Sequence, residues 1–139
     1  MVKPEYIMSM LQSIEKNYVE LHRYKNVNAK EIKKNISLLW AIERGLQVTI
    51  QAILDIGSHI LSDLKTNGWK TYKDIPLKLN EYGVIPKTLA KRISLMAGLR
   101  NILVHEYLAV DPKEIEKILK TNLEDFKKFV LQIRKYYHF

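Results

Sequence analysis

Arg100, Asn101, His105 and Tyr107 place a guanidinium, an amide, an imidazole and a phenol within about two helical turns. No other stretch of the chain gathers so much potential chemistry. An imidazole titrates near neutrality and can take a proton from a hydroxyl at physiological pH. A guanidinium keeps its charge and offers forked N–H donors that match a phosphate. These groups suit cleavage of RNA by the neighbouring 2′-hydroxyl. In that scheme His105 takes the 2′-OH proton, and Arg100 holds the scissile phosphate and offsets charge in the transition state. Asn101 orients the imidazole or the ribose. The general acid stays open between Tyr107 and the His105 of a second copy. The scheme needs no metal and no cofactor.

One element must carry these groups. A helix opening at Pro86 brings Leu89, Ile93, Met96, Leu99 and Leu103 to the motif at helical spacing. With Arg100 at zero and about 100° per residue, Asn101 and His105 fall near 100° and 140°. Leu95, Leu99, Ile102, Leu103 and Met96 fall between roughly 200° and 320° by the same rule. This wheel predicts that Arg100, Asn101 and His105 point away from the core of their own subunit. Tyr107, near about 340° on a regular helix, sits at the edge of the apolar face. A polar arc of this kind is either solvated surface or half of a twofold cleft, in which two copies face each other around one anion.

The remaining elements also read as helices. The first runs from about Pro4 to Tyr24, with Ile7, Met10, Leu11, Ile14, Tyr18 and Leu21 on one face. A very long second helix starts near Asn28, where Asn28-Ala29-Lys30-Glu31 has the form of a capping box, and stops at Asn67-Gly68. Gly45 and Gly57 inside it predict close packing or a bend at one of them. A short third helix lies between Thr71 and Tyr82, closed by Gly83, and the helix from Pro86 is the fourth. Asp111-Pro112-Lys113-Glu114 supplies a cap, a first-turn proline and a capping-box glutamate, opening a fifth helix that ends near Tyr136. No stretch alternates as a strand does. The expectation is an all-α antiparallel bundle of four to five helices, one domain over residues 1–139.

Composition bounds the function. With 139 residues, 47% hydrophobic and 27% charged, the chain is long enough for one core and is not of disordered type. Cysteine is absent, which excludes disulfides and thiolate metal sites. The segment Met1-Val2-Lys3-Pro4-Glu5 lacks a signal peptide's apolar core, and no apolar run reaches membrane-spanning length. A cytoplasmic protein without membrane attachment is expected. The net charge of +8 favours an anionic partner such as nucleic acid.

Other residues weigh less. His59 and Asp55, four apart, read as a surface or helix-packing pair. Glu43, Arg44 and Gln47 read as a structural polar network or the lining of a dimer cleft. His22 and His138 belong near helix ends, as solvated or helix-dipole partners. The histidines lack metal-ligand spacing. Trp40, Trp69 and the tyrosines read as core or boundary residues before base-stacking ones. Lys113, Lys117, Lys120, Lys127 and Lys128 give the last helix a basic, solvated face.

Met96-Ala97-Gly98-Leu99-Arg100-Asn101-Ile102-Leu103-Val104-His105-Glu106-Tyr107, followed by Val110-Asp111-Pro112, resembles the signature segment of the HEPN domains, and within them the HepT-like ribonuclease toxins. Trp40-Ala41-Ile42-Glu43-Arg44, Leu46-Gln47 and Leu54-Asp55-Ile56-Gly57-Ser58-His59-Ile60 resemble that family's long helix, and the similarity covers about residues 5 to 135. The resemblance implies a helical homodimer and a metal-independent endoribonuclease, the toxin of a toxin–antitoxin pair, with an RNA substrate such as tRNA or mRNA. It implies that Arg100 and His105 are catalytic and Asn101 supports them. It also implies a minimal nucleotidyltransferase antitoxin that attaches AMP groups to Tyr107, which would bring charge and bulk to an anion site. The alternative is a non-catalytic binding subunit of a nucleotidyltransferase.

Overall fold

The computed structural model describes residues 3–66, 68–105 and 110–139. Every regular element in them is helical: α1 (Pro4–His22), α2 (Ala29–Lys34), α3 (Ile36–Asp63), α4 (Asp74–Glu81), α5 (Lys87–Val104), α6 (Pro112–Thr121) and α7 (Leu123–Tyr137). The all-α bundle expected from the sequence is the observed architecture. No helix among the described residues is long and apolar enough to cross a membrane.

α3 is the axis of the bundle, packing against α1, α2, α4, α5 and α7. At 28 residues it is about 42 Å long. Its buried positions Ile42, Leu46, Ile50, Ile53, Leu54, Ile60 and Leu61 meet a core built from Ile7, Leu11 and Ile14 of α1 and Phe126, Phe129 and Ile133 of α7. Glycine permits the closest helix approach. A Cβ on Gly57 would lie 2.5 Å from Ile75 Cγ2 on α4, and one on Gly45 would lie 2.8 Å from Leu21 Cδ2 on α1. The close packing expected at one of these glycines is found at both, and α3 runs through both.

Two expected helices are each interrupted once. The helix expected from Asn28 to Asn67 breaks at Asn35, whose backbone is extended at φ −130° and ψ 98°. Asn28 does cap α2, its Oδ1 accepting from the Glu31 N–H at 2.8 Å. Asn35 repeats the device for α3, accepting from Leu38 N–H at 3.1 Å. An asparagine side chain that satisfies a helix's first amides competes with continuing the previous helix. The break lets α2 turn to pack on α6.

The helix expected from Asp111 to Tyr136 breaks at Asn122. Asp111 caps it as expected, accepting from Lys113 N–H at 3.0 Å, with Pro112 in the first turn. At the break, Arg92 of α5 donates from Nη2 to the Thr121 carbonyl at 2.7 Å and from Nε to both oxygens of Asp125 at 2.9 Å. One guanidinium thus satisfies an orphan carbonyl at the end of α6 and a carboxylate, 1% exposed, in the first turn of α7.

The other boundaries shift by a turn or less. α1 ends at His22, and α4 begins at Asp74 with Pro76 in its first turn, where no N–H is needed. The Asp74 carboxylate accepts from the Lys70 and Thr71 amides at 3.0 Å each, which holds its pKa below the usual range. Gly83, at φ +76°, closes α4. Lys113, Lys117, Lys120, Lys127 and Lys128 of α6 and α7 are exposed.

Candidate functional site

α5 delivers the motif, but not with the orientation that the wheel predicts. Its buried residues are Leu89, Ala90, Ile93, Ser94, Met96, Ala97, Leu99 and Leu103, an arc centred close to Arg100 itself. Leu95 is 72% exposed, and Ile102 is exposed too. Apolar residues ring α5 nearly all the way round, so composition alone does not single out its buried face. The face that is buried is the one opposite α3 and α4, which cover it.

Arg100 is therefore half-buried, not outward-facing. Its Nε donates to Gln51 Oε1 of α3 at 2.6 Å, and its Nη1 donates to Asn101 Oδ1 at 3.1 Å. The guanidinium carbon lies 4.5 Å from the centroid of the Tyr72 ring, a cation–π stack from the segment that precedes α4. Gln51 Nε2 in turn donates to Asp55 Oδ1 at 2.8 Å. A donor on one side and a carboxylate on the other leave the Gln51 amide one favourable orientation. Asn101 and His105 are exposed, as expected.

The helix stops just short of the imidazole. His105 is the residue after Val104, with φ −90° and ψ 93°, and its N–H bonds to the Ile102 carbonyl at 3.2 Å. It is thus a helix terminus and not a point on the regular wheel. Tyr107, the expected modification site, lies outside the described residues.

His105 opens onto a cleft of about 650 Å³ with Leu103 and Val104 on one side and Trp40, Glu43, Arg44 and Gln47 of α3 on the other. Glu43, Arg44 and Gln47 thus line a cleft of the single chain. Burial pushes the Glu43 carboxyl above the usual carboxylate range. A second recess of about 340 Å³ shares Arg44 and Gln47 and continues along α3 past Gln51 to Asp55 and to Met10 and Ser13 of α1. Arg100 reaches this side of α3 through Gln51, while His105 borders the cleft itself. Trp40 is 64% exposed at the cleft, in contrast to the core or boundary place expected for it, whereas Trp69 does pack against the core.

The sequence reading assigned Asp55 to His59. Instead Asp55 accepts from Gln51, and His59 packs edge-on against Tyr6 with ring centroids 5.3 Å apart. Gln51 and Tyr72 were not anticipated as partners of Arg100. The available signal was Gln47, Gln51 and Asp55 at four-residue spacing, one polar line along an otherwise apolar helix. His22 ends α1 and His138 follows α7, as anticipated.

Comparison with known proteins places this arrangement. The family model for Ribonuclease HepT-like proteins matches residues 14–133. The chain is 32% identical over 135 residues to the tRNA nuclease HepT of Aphanizomenon flos-aquae, covering 97% of this chain and 92% of that protein. It is 26% identical over 103 residues to the mRNA nuclease HepT of Shewanella oneidensis, covering 74% and 77%. In fold it is similar to the tri-AMPylated Shewanella oneidensis HEPN toxin solved in complex with MNT antitoxin, with TM-score 0.84, 22% identity and coverage of 96% of this chain and 99% of that one. The cytosolic protein YutE of Bacillus subtilis, of unknown function, is similar at TM-score 0.81 and 22% identity, covering 97% and 90%. The chain belongs to the HepT-like ribonuclease family.

Proposed function

We propose that this protein is a metal-independent endoribonuclease, the toxin of a toxin–antitoxin pair, acting in the cytoplasm. The observation that carries the reading is the end of α5, where His105 borders a cleft and Arg100 is held in place about one turn earlier. Overall similarity to two proteins known as RNA nucleases supports it.

His105 accepts the 2′-OH proton, and the 2′-oxygen attacks the adjacent phosphorus. The bond to the 5′-oxygen breaks, leaving a 2′,3′-cyclic phosphate and a 5′-hydroxyl. Arg100 binds the phosphate and offsets charge on its oxygens, which is most effective in a partly desolvated cleft. Asn101 supports Arg100 through its Oδ1. The 5′-oxygen takes its proton from Tyr107 or from the His105 of a second copy.

A second copy fits the surface beside the site. Val104 of α5 and Trp40 of α3 are exposed large apolar residues lining the cleft, and Leu95, Ile102 and Ile36 are exposed on the same two helices. An apolar group of this kind marks an interface more often than a wet face. A twofold axis there would bring two His105 side chains to one anion. The antitoxin is a minimal nucleotidyltransferase, and adding AMP to Tyr107 would place phosphate charge where RNA phosphate must bind.

The test is cleavage of defined tRNAs and single-stranded RNA in excess EDTA, by wild type and His105→Ala, after mass spectrometry confirms an unmodified Tyr107. Cleavage by wild type alone supports the reading. An inert, unmodified, dimeric wild type overturns it in favour of a non-catalytic binding subunit.

A further inference from the structure

We infer that Gln51 and Tyr72 are positioning residues that fix the Arg100 guanidinium while leaving its charge unspent, so that it meets an RNA phosphate as a full, pre-aimed cation. The inference rests on the ribonuclease reading for the identity of the anion. It goes beyond that reading by assigning roles to residues outside the Arg100–His105 motif.

An arginine buried on a helix face is ordinarily paired with a carboxylate. Arg92 in the same helix shows this arrangement, bound by Asp125. Arg92 is structural, and its charge is neutralised where it sits. Arg100 differs in the chemistry of its partners. Among the described residues both of its hydrogen-bond acceptors are neutral amide oxygens, Gln51 Oε1 at 2.6 Å and Asn101 Oδ1 at 3.1 Å. Its flat face rests on the Tyr72 ring at 4.5 Å. Among the described residues two of the five guanidinium N–H groups are used, and no acceptor is bonded to Nη2. That nitrogen and the second Nη1 hydrogen remain for the forked donation that phosphate accepts.

Asp55 stands one residue further along the relay. Its carboxylate accepts from Gln51 Nε2 at 2.8 Å, which turns the amide oxygen towards Arg100. Gln51 is therefore an insulator between an acid and a base. It passes on the orientation that Asp55 imposes without passing on the charge.

Replacing Gln51 with glutamate gives a sharp test, because the two side chains have nearly the same shape. Glutamate at 51 would bond Arg100 at least as firmly, but as an ion pair. Gln51→Glu also replaces the donor to Asp55 with a second carboxylate oxygen, so it is made together with Asp55→Asn, which restores a donor at that contact. A merely structural role for Gln51 tolerates the double variant, whereas an insulating role does not. Gln51→Leu removes both the bond and the orientation. Loss of a hydrogen bond to a charged group, or neutralisation of that group, corresponds to about 10- to 100-fold in the cleavage step.

The measurement is single-turnover cleavage of RNA by wild type, the double variant Gln51→Glu with Asp55→Asn, Gln51→Leu and Tyr72→Phe, beside the ¹⁵N NMR signal of the Arg100 Nε–H. Folding is checked by circular dichroism. The expected outcome is a loss of roughly 10- to 100-fold for both Gln51 variants, with the Nε–H protected in the double variant and exchanging freely in Gln51→Leu. Tyr72→Phe keeps the ring and stays within about threefold of wild type. A folded double variant that cleaves at the wild-type rate overturns the insulating role. A Gln51→Leu whose Arg100 Nε–H stays protected overturns the positioning role. Should wild type itself prove inert, the ribonuclease reading fails, and the NMR comparison alone decides the positioning.

Discussion

Gly57→Ala and Gly98→Ala are the same substitution in two helices of one protein, and the packing around them gives the changes opposite signs. Alanine is favoured over glycine inside a helix by about 1 kcal/mol, so each variant begins with that gain. At Gly98 a Cβ finds nothing within 4 Å, and the gain stands. At Gly57 it would lie 2.5 Å from Ile75 Cγ2 and 3.2 Å from Leu79 Cδ1, both buried on α4. Ile75 is β-branched, with one strongly preferred rotamer in a helix, so either that rotamer is lost or α4 shifts. Overpacking of that kind costs about 1–3 kcal/mol. Gly57→Ala should then be destabilised by about 1 kcal/mol and Gly98→Ala stabilised by about the same. The separation, about 2 kcal/mol, corresponds to roughly 8 °C in Tm. Urea unfolding at one fixed protein concentration reads this difference, with unchanged m-values. A Gly57→Ala variant as stable as Gly98→Ala would refute the close α3–α4 contact.

Arg92→Leu leaves the buried Asp125 carboxylate with the Asn122 Nδ2 donor at 3.2 Å and frees the Thr121 carbonyl, and because Arg92 is partly exposed, unfolding should show a loss of about 1–3 kcal/mol. Asn35→Ala removes the cap that starts α3 and should cost about 1 kcal/mol by the same assay. The Glu43 carboxyl is raised by burial above its ordinary 4.5, so the folded state holds its proton more tightly than the unfolded chain does. Stability should fall as pH rises from the unfolded towards the folded pKa, and Glu43→Gln should flatten that slope in a series of unfolding curves. Tyr18 is pushed up to about 12 from 10.0, first by its hydrogen bond to Glu124 and then by burial. Its contribution to stability is present below pH 10.0 and lost as pH rises towards about 12. Beside Tyr137, also raised by burial, a late-titrating tyrosinate should appear in ultraviolet absorbance and move back towards 10.0 in Glu124→Gln.

The helical class, the glycine contacts and the caps at Asn28 and Asp111 were legible in the sequence because each rests on local spacing or turn chemistry. The breaks at Asn35 and Asn122 were not. An asparagine inside an apolar repeat stops a helix only if a neighbour rewards the turn, and the rewards here come from α6 and from Arg92, distant in sequence. The wheel of α5 failed for a related reason. Leu95 and Ile102 look like core residues but are exposed, while Arg100 looks solvated but is gripped by Gln51 and Tyr72. Polar residues that bond one another can sit partly buried, so the motif was easier to find than to orient. His105 also ends its helix, and no pattern in residues 100–107 announces that stop.

The most direct measurement of the proposed chemistry is analysis of the ends of RNA cut by unmodified protein in EDTA, with a matched substrate carrying 2′-deoxy at the mapped cut site. Cyclic 2′,3′-phosphate ends from the ribose substrate, an inert deoxy substrate and an inert His105→Ala are the expected results. Cleavage of the deoxy substrate, or 5′-phosphate ends, would contradict attack by the 2′-hydroxyl and with it the roles proposed for His105 and Arg100.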